Sequence, residues 1–99
     1  MINYNIDKMK GVIPALITPF DKNEKLNEQG LRDCINFLIE KKVNGLYITG
    51  STGEFFLMSL EERKKVVEIT VDEVRGRIPI VAHIGSIGTH LSIELAQHA

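Results

Sequence analysis

Residues 45–66 read GLYITGSTGEFFLMSLEERKKV and contain the most informative change of pattern in this 99-residue chain. A short apolar run at residues 46–48 stops abruptly in residues 50–54, which are Gly-Ser-Thr-Gly-Glu. A charged amphipathic segment begins near Ser59, where Ser-Leu-Glu-Glu has the spacing of a helix capping box. A buried strand, a polar turn and a helix in this order are typical of a parallel α/β protein.

The same unit of strand and helix is predicted three times along the chain. The predicted strands are residues 11–18, 46–49 and 78–84. The predicted helices are residues 27–43, a segment from Ser59 to the stop signal Gly76, and a segment that begins at Thr89. Because the strands are almost continuous apolar runs joined by helices, we expect them to be parallel and covered on both faces.

Local signals predict where the helices end and which side they bury. Asn27 and Thr89 are expected to be N-caps, and Asn44-Gly45 is expected to supply the left-handed residue that ends the first helix. Apolar residues at helical spacing should face the core. They are Leu31, Cys34, Ile35, Leu38 and Ile39 in the first helix, Val66, Ile69, Thr70 and Val74 in the second, and Leu91, Leu95 and Ala96 in the third.

Composition indicates an ordinary globular protein, with 43% apolar residues, 25% charged residues and a net charge of −1. This charge provides no basic surface for nucleic acid or an anionic membrane. The apolar runs are far shorter than the roughly 18 residues that a membrane helix needs, and the N-terminus lacks a signal-peptide layout. The single cysteine, Cys34, cannot form an internal disulfide and is expected to be a small core residue. We therefore expect a cytoplasmic location.

Three parallel strands do not complete a domain, because their faces and outer edges need further partners. A (β/α)8 barrel needs about 250 residues, and a doubly wound sheet usually has about five or six strands. We therefore expect residues 1–99 to be the N-terminal part of one larger α/β domain. Expressed alone, this segment should be poorly folded or oligomeric.

The turn at residues 50–54 has the features of an anion site. In parallel α/β proteins, ligands bind at the carboxyl ends of the strands, which is where this turn lies. Gly50 and Gly53 would permit unusual backbone angles, while the turn amides and the hydroxyls of Ser51 and Thr52 could donate to a carboxylate. The turn lacks the Gly-Lys-Ser/Thr of a phosphate loop. Spacing alone leaves open that it is only a turn.

The same residues resemble the first signature of the dihydrodipicolinate synthase / N-acetylneuraminate lyase family. The resemblance rests on residues 45–55, Gly-Leu-Tyr-Ile-Thr-Gly-Ser-Thr-Gly-Glu-Phe, with Glu62 further on, and on residues 15–20, Ala-Leu-Ile-Thr-Pro-Phe. Residues 27–31 and 59–63 also fall where similar family segments do. It covers residues from about 9 to 99, and several motifs agree in order and spacing.

The resemblance implies that the chain is three strand–helix units of a (β/α)8 TIM barrel that acts as a class I aldolase on pyruvate. It implies that Ser51 and Thr52 bind the pyruvate carboxylate and that Gly50, Gly53 and Glu54 support the turn. The Schiff-base lysine and the proton-transferring tyrosine would lie beyond Ala99, so residues 1–99 alone should be inactive. The resemblance also implies a homotetramer, and we expect no cofactor or metal.

Within the family, the Ser-Thr pair together with Val81-Ala82-His83-Ile84-Gly85 is more similar to the sialic-acid lyase branch. The dihydrodipicolinate synthase branch and the aldolases of 2-keto-3-deoxy sugar acids remain alternatives, since one methyl group separates serine from threonine. A non-catalytic barrel fragment that serves in binding or assembly is a further alternative. None of the lysines at 22, 25, 41, 42, 64 and 65 is expected to be a desolvated catalytic amine.

Other polar and aromatic residues have mainly structural interpretations. Thr18 ends the first predicted strand and could support the site from behind, while Tyr47 should pack in the core. His83 is expected to be a hydrogen-bonded wall residue, and Glu54 to order the turn by accepting backbone hydrogens. His90 and His98 do not have the arrangement of a metal site. The apolar run at residues 55–58 is expected in the core or in a subunit contact.

Overall fold

The computed structural model describes residues 5–99, which form three helices and a small parallel sheet. The regular elements are α1 (Glu28–Glu40), β1 (Leu46–Ile48), α2 (Leu60–Val74), β2 (Ile80–Ala82) and α3 (Thr89–His98). Short 3-10 helices occupy Ile6–Lys8 and Phe55–Leu57. Within residues 5–99, no helix is both long and apolar enough to cross a membrane.

The sheet is parallel, as predicted, and β1 lies at its centre. On one side β1 pairs with β2, with Leu46 opposite Ile80. On the other side lies the segment predicted as the first strand, residues 11–18, which pairs with β1 through one parallel bridge between Ala15 and Tyr47. The backbone N–H of Tyr47 donates to the carbonyl of Pro14 at 3.0 Å.

The segment at residues 11–18 therefore runs beside β1 but does not form a regular strand. Pro14 explains this difference, because it lacks the N–H that the next parallel hydrogen bond toward the N-terminus requires. Further along, Thr49 has a left-handed backbone with φ of +54°, so the chain after β1 turns away from the ladder. Pairing is thus limited at both ends of the segment.

The core lies between the sheet and the first two helices. The predicted apolar stripes are largely confirmed, since Leu31 and Ile35 of α1 and Val66 and Ile69 of α2 are all buried. Cys34 is a free thiol that packs against this core while partly exposed. Burying one such aliphatic side chain contributes about 1.5–3 kcal/mol, so these stripes attach both helices to the sheet.

The third helix contributes less to the core than predicted. Leu95 is buried with 5% of its surface exposed, and Leu91 is half-buried. The expectation that Ala96 faces inward is wrong, because Ala96 is exposed. Among the described residues, the main packing partner of this helix is α2, to which a single line of side chains attaches it.

Two predicted N-caps are confirmed by hydrogen bonds. The side chain of Asn27 accepts from the N–H of Gly30 at 2.9 Å. At the start of α2, Ser59 and Glu62 exchange both hydrogen bonds of the predicted capping box. These bonds satisfy amides that the helices leave without partners, and each cap typically contributes about 1 kcal/mol.

Two other helix ends differ from the predictions by a few residues. Lys42, with φ of +63°, supplies the left-handed residue after α1 in place of Asn44-Gly45. The Asn44 side chain instead accepts from the N–H of Val12 at 2.8 Å, so it joins the loop after α1 to the first extended segment. The N-cap of α3 is Gly88, and Thr89 is the first helical residue.

Charged side chains connect the helices on the outer surface. Arg32 of α1 lies 2.7 Å from Asp72 and 2.8 Å from Glu73 of α2, and it also pairs with Glu28. The hydrogen bonds that Arg32 donates to Glu73, Asp72 and Glu28 raise the pKa of Arg32. Such exposed pairs contribute little individually, but a shared arginine fixes the relative position of two helices.

Candidate functional site

The turn at residues 50–54 directly follows β1 at the carboxyl end of the sheet. It is closed by two backbone hydrogen bonds, from the N–H of Glu54 to the carbonyl of Ser51 at 3.0 Å and from the N–H of Phe55 to the carbonyl of Gly50 at 3.2 Å. Left-handed residues stand at both of its ends, Thr49 with φ of +54° and Glu54 with φ of +60°. The turn is therefore short and sharply bent.

Glycine is needed at two positions of this turn because a larger side chain would not fit there, and not because of the backbone angles. The expectation that they adopt unusual angles is wrong, since neither Gly50 nor Gly53 has a positive φ. A Cβ atom on Gly50 would collide with the ring of Tyr47. A Cβ atom on Gly53 would lie 3.1 Å from the carbonyl oxygen of Leu16 and 3.2 Å from the hydroxyl of Thr18. The turn thus packs directly onto β1 and onto the extended segment at residues 11–18.

The side chains of Ser51 and Thr52 lie at the exposed side of the turn. Within residues 5–99, neither hydroxyl hydrogen-bonds to another protein group, and only the carbonyl of Ser51 is engaged. Both hydroxyls can therefore donate to a ligand at no cost in protein hydrogen bonds. The two residues that the sequence predicts as hydrogen-bond donors to a carboxylate are thus both exposed on this turn.

Glu54 contributes to the turn in a different way from that expected, whereas Thr18 lies behind it. The carboxylate of Glu54 does not cap the 3-10 helix that follows, so the expectation that it accepts backbone hydrogens is wrong. Its backbone N–H closes the turn instead. Thr18 is buried, with 5% of its surface exposed, and its hydroxyl packs beneath Gly53. Thr18 therefore contacts the turn from below.

His83, at the end of β2, forms the wall beside the turn. Its Nδ1 lies 2.9 Å from the carbonyl oxygen of Thr49, and since a carbonyl can only accept, Nδ1 carries the proton. The hydroxyl of Thr49 in turn lies 3.1 Å from the carbonyl of His83. The imidazole packs edge-on against Phe55 at 4.7 Å between ring centroids. The prediction of a hydrogen-bonded wall histidine is confirmed.

Arg63 completes this wall and was missed in the sequence. Its guanidinium donates to the carbonyl of Gly85 at 2.7 Å and to the carbonyl of His83 at 2.9 Å, and lies 4.9 Å from the ring centroid of Phe55. Burial lowers the pKa of Arg63. Its position was a usable signal, because it precedes the buried Val66 and Thr70 by three and seven residues and so lies on the core face of α2.

Two of the other titratable side chains considered for catalysis or metal binding pair with carboxylates on the surface. Lys64 lies 2.7 Å from Glu94, and that hydrogen bond raises the pKa of Lys64, which is opposite to the shift that a catalytic amine needs. His98 lies 3.7 Å from Glu68 on the helical surface. In the described part of the chain, no three His, Cys, Asp or Glu side chains are grouped as metal ligands.

The apolar run after the turn divides between the core and the surface. Met58 is buried and Phe55 is half-buried against the core, as expected of core residues. Phe56 and Leu57 instead expose 66% and 65% of their surfaces. Tyr47 is half-buried, and its ring lies against Gly50 and near His83.

Comparison with known proteins shows which family this chain belongs to. The model of the Dihydrodipicolinate synthetase family matches residues 8–99. The chain belongs to this family. It is 44% identical over 91 residues to the N-acetylneuraminate lyase of Citrobacter koseri, a match that covers 92% of this chain and 31% of that protein. The chain thus spans about a third of the length of the curated relatives it matches.

Solved structures of family members agree closely with the fold. The N-acetylneuraminate lyase of Mycoplasma synoviae superposes with a TM-score of 0.91 at 48% identity, over 96% of this chain and 33% of that one. YagE, a prophage protein of E. coli K12 from the dihydrodipicolinic acid synthase family, was solved in complex with pyruvate. It superposes with a TM-score of 0.89 at 36% identity, over 92% of this chain and 30% of that one.

Proposed function

We propose that residues 1–99 are the N-terminal part of a single (β/α)8 barrel domain, contributing its first three strand–helix units. The parallel order of the first extended segment, β1 and β2 supports this proposal. In the first segment, Leu16 and Thr18 are buried, whereas Ala15 and Ile17 on the opposite face are exposed. In a closed barrel, this second face would be covered by side chains from the other strands.

We propose that the full-length protein containing this segment is a class I aldolase that cleaves or forms a carbon–carbon bond to pyruvate. The reaction we favour is that of N-acetylneuraminate lyase, which converts N-acetylneuraminate to N-acetylmannosamine and pyruvate. The observation that carries the proposal is the pair of exposed hydroxyls on Ser51 and Thr52, at the end of the sheet where such proteins bind ligands. The names of the Citrobacter and Mycoplasma relatives support the choice of substrate.

The proposed role of the turn is to hold the carboxylate of the keto acid. Ser51 and Thr52 donate two hydrogen bonds to it, and hydrogen bonds to a charged group typically contribute about 1.5–3 kcal/mol each. Fixing the carboxylate places the keto carbon beside the amine of a lysine beyond Ala99. Such positioning can supply several kcal/mol, about 7–11 in the best intramolecular cases.

The covalent steps follow from the chemistry of an iminium ion. The lysine amine attacks the keto carbon and water leaves, which gives a protonated Schiff base. On cleavage, the proton-transferring tyrosine takes the proton from the hydroxyl that becomes the aldehyde oxygen. The electrons of the breaking carbon–carbon bond move toward the iminium nitrogen, which gives an enamine and releases the aldehyde. A proton then returns to the enamine carbon, and water hydrolyses the Schiff base to pyruvate and free lysine. The proton-transferring tyrosine would also lie beyond Ala99.

We also propose that the protein assembles as a homo-oligomer, in line with the tetramer that the family resemblance implies. The support on this chain is the adjacent exposed pair Phe56 and Leu57, just after the proposed carboxylate turn. Two large neighbouring apolar side chains in water are suited to burial against a second copy. Sedimentation of the full-length protein with both residues changed to serine should show a smaller species than the wild type.

Trapping with borohydride and pyruvate tests the proposed function directly. The full-length protein should form a reduced pyruvate adduct on a lysine beyond Ala99, detectable by mass spectrometry of its peptides. Changing Ser51→Ala together with Thr52→Val should strongly weaken this trapping, while Thr89→Val, an exposed threonine on α3, serves as the control. A wild-type protein that forms no adduct would contradict the proposal and favour a non-catalytic barrel.

Turnover assays then separate the members of the family. Cleavage of N-acetylneuraminate supports the favoured reaction. Condensation of pyruvate with aspartate semialdehyde indicates the dihydrodipicolinate synthase reaction, and cleavage of 2-keto-3-deoxy sugar acids indicates the third alternative. All three reactions share the carboxylate turn, so adduct formation and substrate choice are independent results.

A further inference from the structure

Arg63 is the only charged side chain among residues 5–99 that is buried, with 4% of its surface exposed. It lies near the start of α2, where its backbone N–H donates to the carbonyl of Ser59 at 3.0 Å. Within the same residues, no carboxylate lies within salt-bridge distance of its guanidinium. A buried cation without an anionic partner is expensive, so its presence needs a specific reason.

The contacts of the guanidinium connect α2 to the segment after β2. Nη1 donates to the carbonyl of Gly85 and Nη2 to the carbonyl of His83, at 2.7 and 2.9 Å. One face of the guanidinium covers the ring of Phe55 at 4.9 Å. The two carbonyls and the aromatic face together replace part of the hydration that Arg63 loses on burial.

The same contacts continue to both ends of the proposed carboxylate turn. Thr49, the residue before the turn, accepts a hydrogen bond from His83 through its carbonyl. Its hydroxyl lies 2.7 Å from the carbonyl of Ile48 and 3.1 Å from that of His83. Phe55, the residue after the turn, packs against the guanidinium of Arg63 and the imidazole ring of His83. We call Arg63, His83, Thr49 and Phe55 the Arg63 cluster. The cluster holds the two residues that flank residues 50–54.

We infer that Arg63 is a positioning residue that fixes both ends of the carboxylate turn, so that the hydroxyls of Ser51 and Thr52 meet the substrate in one geometry. The inference rests on the proposed function. Within the described part of the chain, two backbone hydrogen bonds close residues 50–54, so the turn has little internal restraint. Their position is therefore set from outside, by the Arg63 cluster on one side and by the packing of Gly53 onto Leu16 on the other.

Three variants of the full-length protein test this inference. Arg63→Met keeps the length of the side chain and removes the hydrogen bonds of the guanidinium. Arg63→Lys keeps the charge but presents one ammonium group in place of two separated donors. It should therefore hold the turn better than Arg63→Met and less well than the wild type. Arg32→Met is the matched control, because Arg32 also joins two helices but lies on the outer surface with Asp72 and Glu73.

Two measurements distinguish positioning from general stability. Without ligand, hydrogen exchange of peptides that cover residues 49–58 should be about tenfold faster in Arg63→Met, with Arg63→Lys intermediate and Arg32→Met similar to wild type. With ligand, the pyruvate concentration that half-saturates borohydride trapping should rise about tenfold in Arg63→Met, less in Arg63→Lys and not in Arg32→Met. The trapping rate at saturating pyruvate should change much less.

Equal exchange rates and equal half-saturation in Arg63→Met and Arg32→Met would overturn the inference. If Arg63→Met does not fold, the comparison is made between Arg63→Lys and Arg32→Met. A difference in both measurements supports the inference, and equal values overturn it. A wild-type protein that forms no pyruvate adduct overturns the proposed function separately. In that case the exchange comparison, which needs no ligand, still decides whether Arg63 holds the turn.

Discussion

His83 donates a hydrogen bond from Nδ1 to the carbonyl of Thr49 at 2.9 Å, and so joins the end of β2 to the start of the turn after β1. A residue with left-handed backbone angles, such as Thr49, needs surrounding contacts to hold it, because this conformation is unfavourable for a β-branched side chain. The bond to His83 supplies one of those contacts. It links the two strand ends that form one side of the candidate site.

Replacing His83 separates this hydrogen bond from simple packing. His83→Leu should lower the free energy of unfolding of the full-length protein by about 1–3 kcal/mol, because it leaves the Thr49 carbonyl without its donor. His83→Asn should lose less, since its amide can donate from nearly the position of Nδ1. Chemical denaturation measures both values. Equal losses in the two variants would show that the hydrogen bond is unimportant there.

Gly50→Ala should destabilise the protein and weaken pyruvate trapping, because the added methyl group collides with the ring of Tyr47. Overpacking of this kind typically costs about 1–3 kcal/mol. Combining it with Tyr47→Ala should remove the collision, so the double variant should be more stable than the sum of the single effects predicts. A double-mutant cycle from denaturation curves measures this coupling. Strict additivity would contradict the steric explanation.

The contact between Arg32 and Glu73 predicts loss of stability in acid. Hydrogen bonds from Arg32 and then Asn36 hold the pKa of Glu73 below its ordinary value of 4.5. A carboxyl whose pKa is lower when folded binds protons more readily when unfolded, so its contribution is complete above that ordinary value and disappears as the pH falls through the folded pKa. Melting temperatures measured from pH 6 to pH 3 should therefore fall less steeply for Glu73→Gln than for wild type.

Lys64 and Glu94 provide an internal comparison for the acid prediction. The hydrogen bond from Lys64 also lowers the pKa of Glu94, so Glu94→Gln should flatten the acid limb in the same direction. Glu40, an exposed carboxylate at the end of α1, serves as the control position. A Glu40→Gln variant with the same flattening would show that general charge, and not these pairs, sets the acid limb.

Ile35→Ala should reduce stability without changing pyruvate binding. Ile35 is fully buried between α1 and the sheet, and truncation of such a side chain costs about 2–5 kcal/mol. Phe37→Ala, at a position with 57% exposure, should cost much less and serves as the control. Half-saturating pyruvate in the trapping assay should stay at its wild-type value in both variants, because neither residue contacts the turn.

Periodic patterns in the sequence predicted the helices and their buried faces well. The stripes of Leu31 with Ile35 and of Val66 with Ile69 lie in the core, because helical spacing alone determines which side chains share a face. Asn27 and Ser59 cap their helices as predicted, since capping depends only on residues within one turn. These features are local, and local sequence suffices to predict them.

Features that depend on contacts between distant segments were harder to predict. The role of Gly50 is set by the ring of Tyr47, and the role of Gly53 by the carbonyl of Leu16, so the glycines themselves suggested backbone freedom instead. Arg63 looked like one of several charged residues at the start of a helix. Helical spacing places Arg63 on the core face of α2, but its partners are carbonyls about twenty residues away, at His83 and Gly85, which no spacing rule identifies.

One helix carries both the Arg63 guanidinium at its start and, near its end, the Glu73 carboxylate that Arg32 anchors. Because α2 is rigid along its length, a displacement parallel to its axis shifts both groups together. Substitutions on the outer surface that shift the position of α2 would therefore also displace the Arg63 guanidinium, several helical turns away. Variants selected only for surface properties, such as solubility, should therefore alter the half-saturating pyruvate concentration even when residues 50–54 are unchanged.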